Sequence, residues 1–183
     1  MEYFIMDEVA GNPYIPYIGD LPEELDMIDV AIGKKVDIND VPIQLPVSIG
    51  DVSEVEYPDL LTGNVPLFSE KLKFALDETG IDNIDYFQVD LINEEDGKTV
   101  AKYYLGIVIG LIKCLKSGLT SSPAGRDILK NPVIDFSLVR GQKLFRLAES
   151  PLLIIVDSSV KDALSKINLQ GVSLLRLKDY ESF

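Results

Sequence analysis

The chain reads as an α+β fold, mainly antiparallel sheet built from hairpins, with a few short helices packed on it. Three observations predict this. Two β-rich arms flank an NEEDGK turn, the stretches with helical spacing are short, and seven of the ten prolines fall in the first 66 residues, where they rule out any long helix. The length of 183 residues and the 46% hydrophobic content suit one domain spanning 1–183. Such a domain buries roughly 70% of the surface its unfolded chain exposes.

Within that domain, residues 1–66 form an acidic, proline-rich part with short strands and turns, and residues 67–183 hold the hairpins and two strand-helix-strand units. NPYIPYIGDLPEEL is expected to be extended, because each residue before a proline is pushed toward β or polyproline conformation. Tyr14, Ile15, Tyr17 and Ile18 are then available to pack on a sheet or to stay partly exposed. One or two helical turns fit Leu21 to Val30. Val41, Ile43, Leu45 and Val47 alternate at period two, and Pro42 and Pro46 between them predict an edge strand.

FSEKLKFALDETG predicts a helix capped by Ser69, with Leu72, Ala75 and Leu76 as its buried stripe and Gly80 at its end. Ile84 to Ile92 and Thr99 to Ile112 predict a hairpin closed at Asp96-Gly97. Its first arm carries Phe87, Val89 and Leu91 on one face, and its second is apolar on both faces, as in a central strand. KSGLTSSPAGRDILKNP, residues 116–132, reads as a long loop with a helical turn near Asp127 to Leu129. VIDFSLV then alternates, and Arg140-Gly141 predicts a tight turn into KLFRLA, a second hairpin. LLIIV reads as a buried strand, Asp157 to Ile167 as a helix with Ser159 and Asp162 spaced like a capping box, and VSLLRL as the closing strand. Laying Ala75-Leu76 on Ala163-Leu164, a shift of 88, aligns two strand-cap-helix-turn-strand units.

Charge is the strongest functional signal. Residues 1–66 hold fourteen acidic side chains against Lys34 and Lys35, a net −12 out of −13 for the whole chain. Such a field speeds encounter with a basic partner and opposes DNA, RNA or an anionic membrane, although an acidic surface also serves plain solubility. Asp20, Glu23, Glu24, Asp26 and Asp29 are the candidate residues for a basic partner.

Chemistry finds little support. There is no histidine, which removes Ser-His-Asp and Cys-His pairs, histidine metal clusters and the commonest general base. Cys114 is the only cysteine, so no intramolecular disulfide or thiolate metal site can form, and its place after an apolar strand predicts a buried, inert thiol. Asp37 with Asp40, and Glu94, Glu95 and Asp96, are carboxylate groups beside turn signals, better read as solvated turns than as metal ligands. GLTSSPAGRD lacks the GK[ST] ending of a phosphate-binding loop. No cofactor is expected. The longest apolar run, Tyr103 to Ile112, is far short of a membrane helix, and the start MEYFIMDEVAGN does not resemble a signal peptide, so a cytoplasmic location is expected.

Two stretches carry a resemblance: YPDLLTGNVPLFSEKLKFALDETGIDNIDYFQVDL followed by KYYLGIVIGLIKCL, and FSLVRGQKLFRLAESPLLIIVDSSVKDALSKINLQGVSLLRL. Within them Pro58-Asp59 precedes the Ser69-Glu70 helix start, Tyr103-Tyr104 follows the hairpin turn, and Phe145-Arg146-Leu147 precedes the strand and helix ending at Gly171-Val172. Over residues 57–177 the chain resembles family eleven of the immunity proteins of bacterial polymorphic toxin systems, formerly a domain of unknown function. The resemblance implies a protein that binds and neutralises a cognate toxin without chemistry of its own, and it carries over no toxin-binding residue. Ser69, Glu70, Phe145 and Arg146 match its pattern and are expected to be scaffold. The alternative is a small acidic regulatory or ligand-binding domain with a carboxylate-lined pocket.

Overall fold

The computed structural model describes residues 2–11, 15–23, 25–36, 38, 42–48, 55–63, 65–121 and 127–182. Its organising element is the predicted hairpin. Strands β6 (Ile84–Asn93) and β7 (Thr99–Val108) pair antiparallel along nearly their whole length, and Gly97 turns between them at φ 68°. The β-branched and aromatic side chains of both arms stiffen the pleat and pack across it.

Around this hairpin grows a six-stranded sheet in the order β2-β3-β6-β7-β5-β4, adding β2 (Tyr17–Ile18), β3 (Ile43–Ser48), β4 (Leu60–Leu61) and β5 (Leu67–Phe68). A five-stranded sheet in the order β13-β1-β12-β11-β8 is built from β1 (Tyr3–Glu8), β8 (Leu111–Ile112), β11 (Leu144–Leu147), β12 (Ser150–Asp157) and β13 (Val172–Arg176). Among the described residues there are four short α-helices: α1 (Met27–Ala31), α2 (Glu70–Asp77), α3 (Phe136–Val139) and α4 (Ser158–Leu164). The protein is thus mostly β, a loose fit to the α+β expectation. Its sheets are mixed as well as antiparallel, because β3 runs parallel to β6 and β8 parallel to β11.

Side-chain alternation explains how the layers stack. Phe4 and Met6 of β1 and Ile154 and Val156 of β12 face a cluster shared with α2, α4, Phe68 and Val108, whereas Tyr3, Ile5, Leu153 and Ile155 face the opposite cluster with Cys114, Leu129 and Val139. In the six-stranded sheet Tyr103, Leu105 and Ile107 face a third cluster with Ile43, Leu45, Val47 and Val89. Both sheets are therefore covered on both faces, and β7 is the central strand its sequence predicts. At Gly106 a β-carbon would sit 2.1 Å from the Phe68 ring, so only glycine lets the ring lie flat on β7.

Several expectations are corrected. The arm expected to run from Thr99 to Ile112 breaks at Ile109-Gly110: β7 ends at Val108 and the chain crosses to the other sheet as β8. Asn83 holds this crossing, donating from Nδ2 to the carbonyls of Ile109 (2.6 Å) and Leu144 (2.9 Å). The strand with Pro46 is not a bare edge. Short β2 covers its far end, pairing Tyr17 with Ser48 and Ile18 with Val47, and the buried Ile43, Leu45 and Val47 keep the predicted alternation. Val41 lies outside the described residues.

Residues 116–132 are not a loop with a helical turn. β9 (Leu115–Ser121) and β10 (Asp127–Ile134) form a two-stranded antiparallel ribbon, and the segment 122–126 lies outside the described residues. The glycine and proline that look like loop residues sit at a register shift in this ribbon. Gly118 (φ 106°) lies against the Pro132 backbone, where a β-carbon would come within 2.5 Å. Nor does VIDFSLV lead into a hairpin. Asp135 accepts from the Ser137 backbone N–H (3.0 Å) and hydroxyl (2.6 Å) and starts α3, which ends at Arg140 (φ 54°) and Gly141 (φ 78°). The polar residues taken for the outer face of a strand are a helix cap. Strand β11 instead forms its hairpin with β12. The cap of α4 is Asp157, not Ser159. Its carboxylate accepts from the N–H groups of Ser159 (2.9 Å) and Val160 (3.0 Å), so the helix starts before the expected capping box.

The 88-residue shift corresponds to a shared arrangement. In β5-α2-β6, with β7 between the strands, and in β12-α4-β13, with β1 between them, a helix links two parallel strands across an antiparallel one. The caps Ser69 and Asp157 and the core residues Leu72 with Val160 and Leu76 with Leu164 coincide, and both helices bury their stripes in one cluster.

Candidate binding surface

The acidic candidates gather on and just before α1, whose position is set from below. Leu25, Val30 and Ala31 are buried, anchoring the short helix on the six-stranded sheet. Gly33 follows at φ 69°, where a β-carbon would lie 2.2 Å from the Val108 carbonyl oxygen. Only glycine permits this close approach, which pins the helix end to the last residue of β7.

Asp20 and Glu23 are exposed and form no ion pair with any described residue, whereas Glu24 lies outside the described residues. Asp26 and Asp29 have local work. Asp26 caps α1, accepting from the N–H groups of Ile28 (2.7 Å) and Asp29 (3.1 Å), and Asp29 pairs with Lys34 at 2.6 Å. The sequence signal missed the exposed apolar residues of the same segment: Tyr17 is 72% exposed, Ile28 69% and Met27 50%. A large aromatic, a Met and an Ile in solvent, in the same segment as exposed carboxylates, are residue types enriched at protein-binding surfaces. The signal available in the sequence was Met27-Ile28 sitting directly after a cap, where the first helical turn has not yet reached the core.

The other candidates for chemistry resolve into structure. Cys114 is buried, and burial, with Glu149 and Asp135 adding to it, pushes its thiol up to about 11. At neutral pH it is protonated and unreactive. Glu94, Glu95 and Asp96 form the exposed turn between β6 and β7, where the Lys98 ammonium on Asp96 (2.7 Å) holds that carboxyl below its usual range. Asp37 and Asp40 lie outside the described residues. Among the described residues no group of three or more acidic or cysteine side chains is placed to hold a metal ion. The cavities at Glu8, Glu2 and Asp82 each contain a single carboxylate, and that of Glu8 already accepts from the Thr62 N–H at 2.8 Å. No helix among the described residues is long and apolar enough to cross a membrane.

The motifs behind the family resemblance hold the scaffold together. Buried Asp59 accepts from the Ser69 hydroxyl (2.5 Å) and the Gln170 N–H (2.7 Å), so one carboxylate ties the start of α2 to the loop before β13. Backbone bonds from Asp59 N–H to Gln170 and from Ser69 N–H to Asp59 close the same knot, and the Tyr103 hydroxyl donates to the Pro58 carbonyl at 2.6 Å. Phe145 is fully buried, edge-on to Tyr3. Arg146 is 2% exposed, and its Nη1 donates to the carbonyls of Pro151 (3.0 Å) and Leu152 (2.9 Å).

No curated protein matches the chain. A family model does: that of the Imm11 immunity protein family matches residues 44–179, covering the whole six-stranded sheet except β2 and the first residue of β3, and all of the five-stranded sheet except β1. With most of its length and both helix-linked units inside that match, the chain belongs to the Imm11 immunity protein family.

Proposed function

We propose that this protein binds and neutralises a cognate bacterial toxin in the cytoplasm, by occlusion and without catalysis, and that the surface around α1 is part of the contact with a basic toxin domain. Family membership supports a toxin as partner. The observation that carries the location is the exposure of Tyr17, Met27 and Ile28 in a segment of net −12 where Asp20 and Glu23 form no ion pair with any described residue. Apolar side chains at the centre provide the desolvated contact, while the charges accelerate encounter and select against wrong partners. The patch precedes residue 44, where the family match begins, and so belongs to the part of the chain outside the shared pattern. A field of this sign disfavours nucleic acid and anionic lipid as direct partners.

The absence of catalysis is supported by the missing histidine and by the buried, protonated state of Cys114. The chain is proposed to act as a single unit over residues 1–183. The direct test is association kinetics with a cognate toxin domain. Asp20→Lys with Glu23→Lys should slow association about tenfold at low salt and flatten its salt dependence, with an unchanged fold, since neither side chain supports α1. Unchanged association rates in this folded variant remove the patch from the interface.

A further inference from the structure

Among the described residues Arg146 is the one arginine in the buried core, and its charge has no acidic partner there. It occupies a strand position on β11 whose neighbours in alternation, Leu144 and the cross-strand Ile154, face the cluster between the two sheets. Nη1 is satisfied by two carbonyls, while Nε and Nη2 have no hydrogen-bond partner and almost no surface open to water. Burial pulls its pKa down to about 10, which still leaves it cationic at neutral pH. An apolar side chain of similar volume would avoid this desolvation cost, so the unmatched charge needs a counterpart.

The free atoms define what that counterpart is. The hydrogens on Nε and Nη2 lie along the same edge of the guanidinium, forming the planar fork that matches the two oxygens of a carboxylate. Arg146 also lines a cavity of about 60 Å³ together with Met27, Ala31, Thr62, Pro66 and Leu152, which has room for a carboxylate group or a few waters and no more. No second cation lines it, so the site offers one positive charge and two parallel donors, fewer than a phosphate would use. Met27 and Leu152, 50% and 77% exposed, stand at its rim.

We propose that the free edge of Arg146 is a receptor for a carboxylate, entering between Met27 and Leu152. Two sources share this chemistry: a small free carboxylate, or an Asp or Glu side chain of a bound protein.

The test uses the full chain alone, so its failure leaves the toxin-binding proposal standing. The Nε–H signal of Arg146 is followed by NMR during titration with sodium acetate and with the amide of N-acetyl-glutamic acid, each against sodium chloride at equal ionic strength. The expected result is a saturable shift with acetate that chloride does not produce and that Met27→Trp, which plugs the rim without touching the guanidinium, abolishes. Response to the blocked glutamate as well assigns the site to a protein side chain, and response to acetate alone assigns it to a free carboxylate. Absence of saturation with both carboxylates, an equal shift with chloride, or a response that survives Met27→Trp overturns the proposal. Because Met27 is exposed, this variant keeps the test valid even where Arg146→Met does not fold.

Discussion

Removing the Leu164 side chain tests how the two helices are wedged between the sheets. Leu164 is 1% exposed and shares its cluster with Val160 on its own helix, Leu72 and Leu76 of α2, and Phe4, Met6 and Val156 of the sheet beneath. Leu164→Ala loses the transfer free energy of the removed carbons and leaves a cavity, a total of about 2 to 5 kcal/mol for buried leucines. Collapse of the cavity is restricted here, because α4 is tied to β12 through the Asp157 cap and α2 to the loop before β13 through Asp59. The cost should therefore fall in the upper half of that range, about 3 to 5 kcal/mol, against a typical total of about 5 to 15. Lys161, one turn away, is half-buried, 3.2 Å from Asp162 and 5.9 Å from the Phe4 ring centroid, so Lys161→Ala should cost about 1 kcal/mol or less. Urea unfolding measures both. With a slope of about 2 kcal/mol/M, the leucine variant should move the midpoint down by roughly 1.5 to 2.5 M at unchanged slope. Equal small shifts for the two variants would refute the assignment of α4's buried face.

Asp59→Ala should destabilise the fold by about 1 to 3 kcal/mol, read by the same unfolding experiment, because it leaves the part-buried Ser69 hydroxyl and Gln170 N–H without their acceptor. A loss under about 1 kcal/mol would mean that the backbone bonds alone hold the knot. Cys114 should resist thiol reagents in the native protein at neutral pH and react only on unfolding. Its folded pKa of about 11 lies above the ordinary value of 9.0, so the folded state keeps a proton that the unfolded state loses. This contribution to stability is intact below pH 9 and declines as pH rises toward 11, which a Cys114→Ala comparison of alkaline unfolding isolates.

The helix of Ser69, the hairpin at Asp96-Gly97, the buried LLIIV strand and the closing strand were legible because each combines an unambiguous periodicity with a local stop signal. The failures share a cause. Short polar residues serve equally as strand exteriors, loops and caps, and only tertiary pairing decides among them. Asp135 and Ser137 became a cap, and Gly118 and Pro132 became an irregularity in a ribbon. The parallel pairings of β3 with β6 and of β8 with β11 join segments far apart in the chain, which no local pattern records. At the candidate surface the acidic residues were visible as composition. The exposure of Tyr17, Met27 and Ile28 was not, since apolar residues beside a cap look the same whether they face the core or solvent. Arg146 was legible as part of a family motif, but which of its nitrogens find acceptors depends on the Pro151 and Leu152 carbonyls of the next strand, to which only Nη1 donates.

The central claim, neutralisation by binding alone, is tested most directly by titrating the purified protein into a fixed amount of its active cognate toxin domain and following residual toxin activity. Binding without catalysis predicts a loss of activity that is linear in added protein, complete at a fixed molar ratio, and reversed when the complex is dissociated by denaturant and the toxin refolded. Complete inactivation by a small molar fraction of this protein, with a covalently altered toxin recovered afterwards, would contradict it.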